Sequence, residues 1–155
     1  MSKGSQKLRP VERLTDQRKE QAATELARAE SELRQSEAKL EEILELRQEY
    51  RRQLTADGAI EAGRLRDFNA FLTRLDEAIV QQREQITQQQ RRVHQLHRHW
   101  LKRWGEHRTI EKVVERRAEE ERMEADRRER IEADETARLL FQAGQRGLLP
   151  GQGGG

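Results

Sequence analysis

Large apolar residues recur at alternating intervals of three and four along the second half of the chain. The run is Leu65, Phe68, Leu72, Leu75, Ile79, Ile86, Val93, Leu96, Trp100, Ile110 and Val114. Only Gln82, Gln89, Arg103 and His107 interrupt it. The spacing holds one phase for about seven heptads, which predicts a supercoiled helix rather than a helix of a globular core.

A shorter seam precedes it, at Ala22, Leu26, Ala29, Leu33, Ser36, Leu40, Ile43, Arg47, Tyr50 and Leu54. Further upstream Leu8, Val11 and Leu14 fit less well, so a register slip is expected near Thr15. The two seams are separated by Thr55-Ala56-Asp57-Gly58, with Gly63 following. Asp-Gly is a turn signal, and Gly58 can adopt the left-handed conformation that ends a helix. Two helices joined by so short a loop predict an all-α, antiparallel coiled-coil hairpin. Folding about residue 61 sets Leu54 against Phe68, Tyr50 against Leu72, Ile43 against Ile79, Ser36 against Ile86 and Leu8 against Val114. A pairing slipped by one heptad remains open at this stage.

The expected bounds are helix 1 over 6–56, a turn over 57–63 and a longer helix 2 over 64–142, forming one hairpin domain over 1–143. At 1.5 Å per residue the arms would span roughly 75 Å and roughly 120 Å. Residues 115–142 are then left without a partner on the first helix. They are predominantly charged, and pairs four apart such as Glu124–Arg128 and Asp126–Arg130 favour a helix there by a few tenths of a kcal/mol each. The Gly-rich end, 144–155, is expected to be a disordered tail.

Composition agrees with long helices. Of 155 residues, 39% are charged and 33% hydrophobic, too few for a multilayer core. The 31 basic and 29 acidic residues leave a net charge of +2, so nothing draws the whole chain to nucleic acid. There is no cysteine, which excludes disulfides, thiolate zinc sites and thiol nucleophiles. The prolines, Pro10 and Pro150, lie near the two ends. Neither a secretory signal nor a run of about 20 apolar residues is visible, so a cytoplasmic protein without membrane insertion is expected.

No catalytic constellation, phosphate-binding loop or cofactor motif is present, and a non-enzyme without a cofactor is expected. His94 and His97 share a helical face, but no carboxylate nearby completes a metal site, so a solvated face is the better reading. Residues 91–108 form a basic, aromatic belt with Trp100 on the seam and Trp104 beside it. A protein contact or a solvated face is favoured there over nucleic acid. Near the bend Phe71 falls outside the seam, and Leu46 and Ala78 occupy the same flanking position. They widen the apolar stripe beside Ile43, Tyr50 and Leu75, as a docking face would.

Several segments resemble the flagellar type III export stalk proteins, the FliJ family. Ile-Leu-Glu-Leu-Arg-Gln-Glu-Tyr-Arg-Arg-Gln at 43–53 resembles the end of that family's first helix. Phe-Asn-Ala-Phe-Leu-Thr-Arg-Leu-Asp-Glu-Ala-Ile at 68–79 resembles the start of its second. Residues 93–100 resemble the stretch where it carries a tryptophan, and Ala133-Asp134-Glu135 resembles an acidic turn near its end. The resemblance covers about residues 8–142. It implies a monomeric two-helix coil, similar in shape to the central stalk of rotary ATPases and related to injectisome stalk proteins. It also implies a cytoplasmic location at the inner-membrane export apparatus and three partners: the export ATPase hexamer, the cytoplasmic domain of the export gate, and export chaperones. By position, gate contacts would fall on Ile43, Leu46, Tyr50, Phe71, Leu75 and Ala78, with Lys39 and Gln82 beside them. Contacts with the ATPase ring would fall on Leu8, Val11, Leu14, Val113, Arg117 and Arg122. The alternative reading is a coiled-coil scaffold, or a nucleic-acid-associated protein using the basic belt.

Overall fold

The computed structural model describes residues 3–56, 58 and 61–148. They form two helices, α1 (Lys3–Ala56) and α2 (Ala62–Leu148), that pack against each other. There are no strands among the described residues. Gly58 between them has a φ of 29°, the left-handed region expected of the residue that stops α1. α2 opens with a hydrogen bond from the Leu65 N–H to the Glu61 carbonyl, so Ala62 and Gly63 belong to the helix and not to the turn. Its far end also extends past the expected bound near 142. Gly144 is helical, because one glycine in a helix costs only about 1 kcal/mol against alanine. Asp57 and the part of the Gly-rich tail from 149 to 155 lie outside the described residues.

The chain divides into two compact units, one from Asp16 to Glu106 and one combining residues up to Thr15 with those from His107 onward. In the first, partner numbers on α2 fall as numbers on α1 rise. Ser36 meets Gln82, Arg47 meets Asp76, and Tyr50 meets both Phe68 and Phe71. That trend is antiparallel, and these partners sit within about one turn of those given by folding about residue 61. The buried positions, Ala22, Ala29, Ser36, Leu75, Ile79, Gln82 and Ile86, all lie on the two seams. Gln82 keeps its place there because its side-chain amide donates to the Ser36 carbonyl at 3.0 Å, in line with the rule that a buried amide needs a partner.

In the second unit the buried positions are Ser5, Thr15, His107 and Val114. Ser5, Leu8, Glu12 and Thr15 repeat the 3–4 spacing in the phase of Ala22, and each is buried or half-buried, while Val11 and Leu14 are exposed. The expected slip near Thr15 therefore does not occur. Three of the four inward positions are polar; Ser5 and Thr15 meet partners across the seam, while Glu12 Oε2 is buried without a hydrogen-bond partner. The Thr15 hydroxyl lies 2.9 Å from both the Glu12 carbonyl and His107 Nδ1.

Packing in this unit also reaches beyond Val114. The Ser5 N–H and hydroxyl both donate to the Glu121 carboxylate, at 3.0 and 2.7 Å. The unpartnered stretch thus begins after Glu121 and not at residue 115, and residues 122–146 are exposed throughout. The expected Glu124–Arg128 pair is present at 3.5 Å, and Arg122 pairs with Glu119.

Candidate functional site

Two surfaces hold the residues singled out by sequence, and each lies within one unit. The first surrounds the bend. Tyr50 stacks on Phe71, with ring centroids 4.3 Å apart, and meets the Phe68 edge at 5.5 Å. Helical spacing produces this trio. Phe68 and Phe71 lie three apart on α2, so one face of α2 presents both rings to a single position on α1. An aromatic pair of this kind contributes about 0.5–1.5 kcal/mol beyond its buried area. Phe71 is half-buried, so it lies over the edge of the seam and keeps one side in solvent.

Around it, Ile43, Tyr50 and Ala78 are half-buried, Leu46 is 43% exposed and Lys39 is exposed. Leu75 and Gln82 are buried in the seam. The six stripe residues are therefore of two kinds. Leu46, Phe71 and the outer edges of Tyr50, Ile43 and Ala78 can touch another molecule directly, while Leu75 supports them from beneath. A shallow groove beside the trio is lined by Tyr50, Arg64, Asp67, Phe68, Phe71 and Arg74. It gives the apolar stripe a charged rim, the common plan of a protein interface. The Arg47–Asp76 ion pair ties the two helices at the surface here, contributing at most about 1 kcal/mol.

The second surface lies in the other unit. Leu8 and Val113 are half-buried, whereas Val11, Leu14, Arg117 and Arg122 are exposed. Val11 and Leu14 are free of the seam, an arrangement that leaves apolar groups available to a partner. Sequence reasoning missed the group that fixes this surface, the Glu121 carboxylate over the first turn of α1. α1 has no acidic residue in its first turn and carries Pro10 inside, where the missing N–H weakens the turns before it. Glu121 provides the absent negative charge from the other helix and caps orphan donors at the α1 start. A glutamate three residues after a serine would have been readable; one supplied from 116 positions away was not.

The Ser5 hydroxyl, then the Ser5 N–H and the Gly4 N–H, hold the Glu121 carboxyl below the usual glutamate range. A depressed folded-state pKa means stability that is present above the unfolded value and lost as pH falls through the folded one. On acidification the Ser5 amide resonance should move with a midpoint below that of an unpaired glutamate, as the first turn of α1 frays. Glu121→Gln should abolish that titration while the amides of residues 16–106 stay unchanged. A Ser5 amide indifferent to pH in the native chain would refute the cap.

Other chemistry is sparse. Among the described residues no group of three or more His, Asp and Glu could hold a metal ion. His97 is exposed and leans on Trp100, ring centroids 5.9 Å apart. No described helix is long and apolar enough to cross a membrane. In comparisons with known proteins, the family described as flagellar FliJ protein matches residues 4–146, a span that contains both surfaces and the turn between the helices. Neither the curated proteins nor the solved structures give a match.

Proposed function

The chain belongs to the flagellar FliJ protein family, and from that premise, which gives it a role in flagellar protein export, we propose that it is a cytoplasmic stalk and adaptor of the export apparatus. In this reading the unit containing Val11, Leu14, Val113, Arg117 and Arg122 engages the hexamer of the export ATPase, promoting its assembly or turnover. The stripe at Ile43, Leu46, Tyr50, Phe71 and Ala78, backed by Leu75, engages the cytoplasmic domain of the export gate. Export chaperones are a third class of partner. The role is mechanical and allosteric, and the protein is peripheral to the inner membrane.

The observation that carries the reading is the match itself, which runs through both helices and so concerns the two-helix scaffold as a whole. Its physical support is the contrast between surfaces. The bend stripe is apolar and aromatic with a charged rim, whereas the region around Arg117 and Arg122 pairs exposed aliphatic residues with dense charge. Two such different surfaces suit two different partners. An export ATPase of the flagellar type, assayed with and without this protein, should form more hexamer and hydrolyse ATP faster when it is present. Hexamer yield and turnover that ignore the protein would sink the stalk reading.

A further inference from the structure

Between Glu84 and Glu106 the chain contains no acidic residue, yet it carries Arg91, Arg92, Arg98, Lys102 and Arg103. Arg103 is occupied by Glu106 at 3.1 Å. Arg91, Arg92, Arg98 and Lys102 are exposed, and none has a carboxylate partner among the described residues. Arg91, Arg98 and Lys102 follow one another at intervals of seven and four, which aligns them on one ridge of α2. The neighbouring ridge is His97, Leu101 and Trp104, at intervals of four and three. Leu101 is 47% exposed and Trp104 49% exposed, although Trp100, one turn before Trp104, is half-buried in the seam. His97 rests on Trp100 and leaves Leu101 and Trp104 uncovered.

A cationic ridge beside an apolar one defines its complement. The partner must bring carboxylates along one line and apolar side chains along the next. We propose that this face of α2 binds an acidic amphipathic helix of another protein, which packs its apolar stripe on Leu101 and Trp104 and its acidic edge on Arg91, Arg98 and Lys102. Nucleic acid satisfies only half of the arrangement. Phosphates would pair with the cations and a base could stack on Trp104, but the exposed leucine beside it has no π face and gains nothing from a phosphate backbone. Leu101 and Trp104 are the anchors, since large apolar side chains at the centre of a charged surround carry most of the energy of such contacts. The inference depends on neither the gate contact nor the ATPase contact.

The test uses the full chain and three probes. One is a synthetic helical peptide with leucines on one ridge and glutamates on the adjacent one. The second is its twin with lysines in place of the glutamates, and the third is a DNA oligonucleotide. Calorimetry should show the acidic peptide binding at least about tenfold more tightly than its twin. Leu101→Ala with Trp104→Ala should weaken that binding by about tenfold or more. Arg98→Glu with Lys102→Glu, both at exposed positions, should transfer the preference to the lysine peptide. If the alanine pair lowers helicity, the charge-reversal pair decides. Equal binding of the two peptides, an affinity indifferent to the anchor substitutions, or tighter binding of the oligonucleotide than of the acidic peptide would overturn the proposal.

Discussion

Ile79→Asp is expected to remove the cooperative thermal transition of the helical signal from residues 16–106, while the same change at its neighbour, Val80→Asp, leaves that transition in place. Ile79 is 6% exposed and Val80 is 64% exposed, although they are adjacent in sequence. Only Ile79 lies on the seam. Truncating a buried isoleucine to alanine already costs about 2–5 kcal/mol. A carboxylate at that point also gives up its hydration, and no described cation on α1 occupies the opposing seam positions Leu40 and Ile43. The sum approaches the whole stability of an ordinary domain, about 5–15 kcal/mol. A two-helix unit has less in reserve, since none of its large side chains is fully buried among the described residues. Val80→Asp exchanges one solvated side chain for another and should stay within about 0.5 kcal/mol. Circular dichroism melts of the two variants and the parent chain check this. Equal melting of the two variants would mean that the seam has been misassigned.

The contrast shows what the sequence discloses and what it withholds. Ile79, Ile86 and Leu75 announce themselves because apolar residues at a fixed spacing have one physical explanation, burial against a second helix. The same signal, repeated upstream and interrupted at Gly58, was enough for the antiparallel pairing and the unequal helix lengths. The polar members of the seam carry no such mark. Gln82 and His107 read as interruptions and Thr15 as a slip, yet all three are buried. Across the seam they meet partners far along the chain, Gln82 at Ser36, 46 positions away, and His107 at Thr15, 92 positions away. Nothing local in the chain encodes those partners.

The α1 start was hidden for the same reason, since its cap is Glu121 on the other helix. At the bend the sequence marked out a wide apolar stripe as a pattern, but could not rank its members by access. Leu75 and Phe71 differ by only four positions, and the structure buries one in the seam while the other stacks on Tyr50 with a face to solvent.

That ranking determines how the proposed gate contact should be probed. Leu75→Ala would act through the core, at about 2–5 kcal/mol, so any loss of binding would be ambiguous. Leu46→Ala with Phe71→Ala acts at the surface. Leu46 is exposed, and removing Phe71 forfeits its stacking on Tyr50 and part of a half-buried ring, while the Tyr50–Phe68 edge contact remains to close the seam. The double variant should therefore fold with a modest drop in melting temperature. Its effect on docking should be much larger, since a half-buried aromatic with one face in solvent and an exposed aliphatic neighbour at the centre of a charged-rimmed stripe have the composition of an interface hot spot. The ATPase contact, assigned to residues of the other unit, should be untouched.

The most direct test is a titration of the cytoplasmic domain of the export gate against the native chain and against Leu46→Ala/Phe71→Ala, with export-ATPase turnover measured on the same preparations. A gate affinity lowered by about tenfold or more in the double variant, with helicity and ATPase stimulation retained, is the predicted result. Undiminished gate affinity, or affinity lost only together with helicity and ATPase stimulation, would contradict an adaptor with two separate docking surfaces.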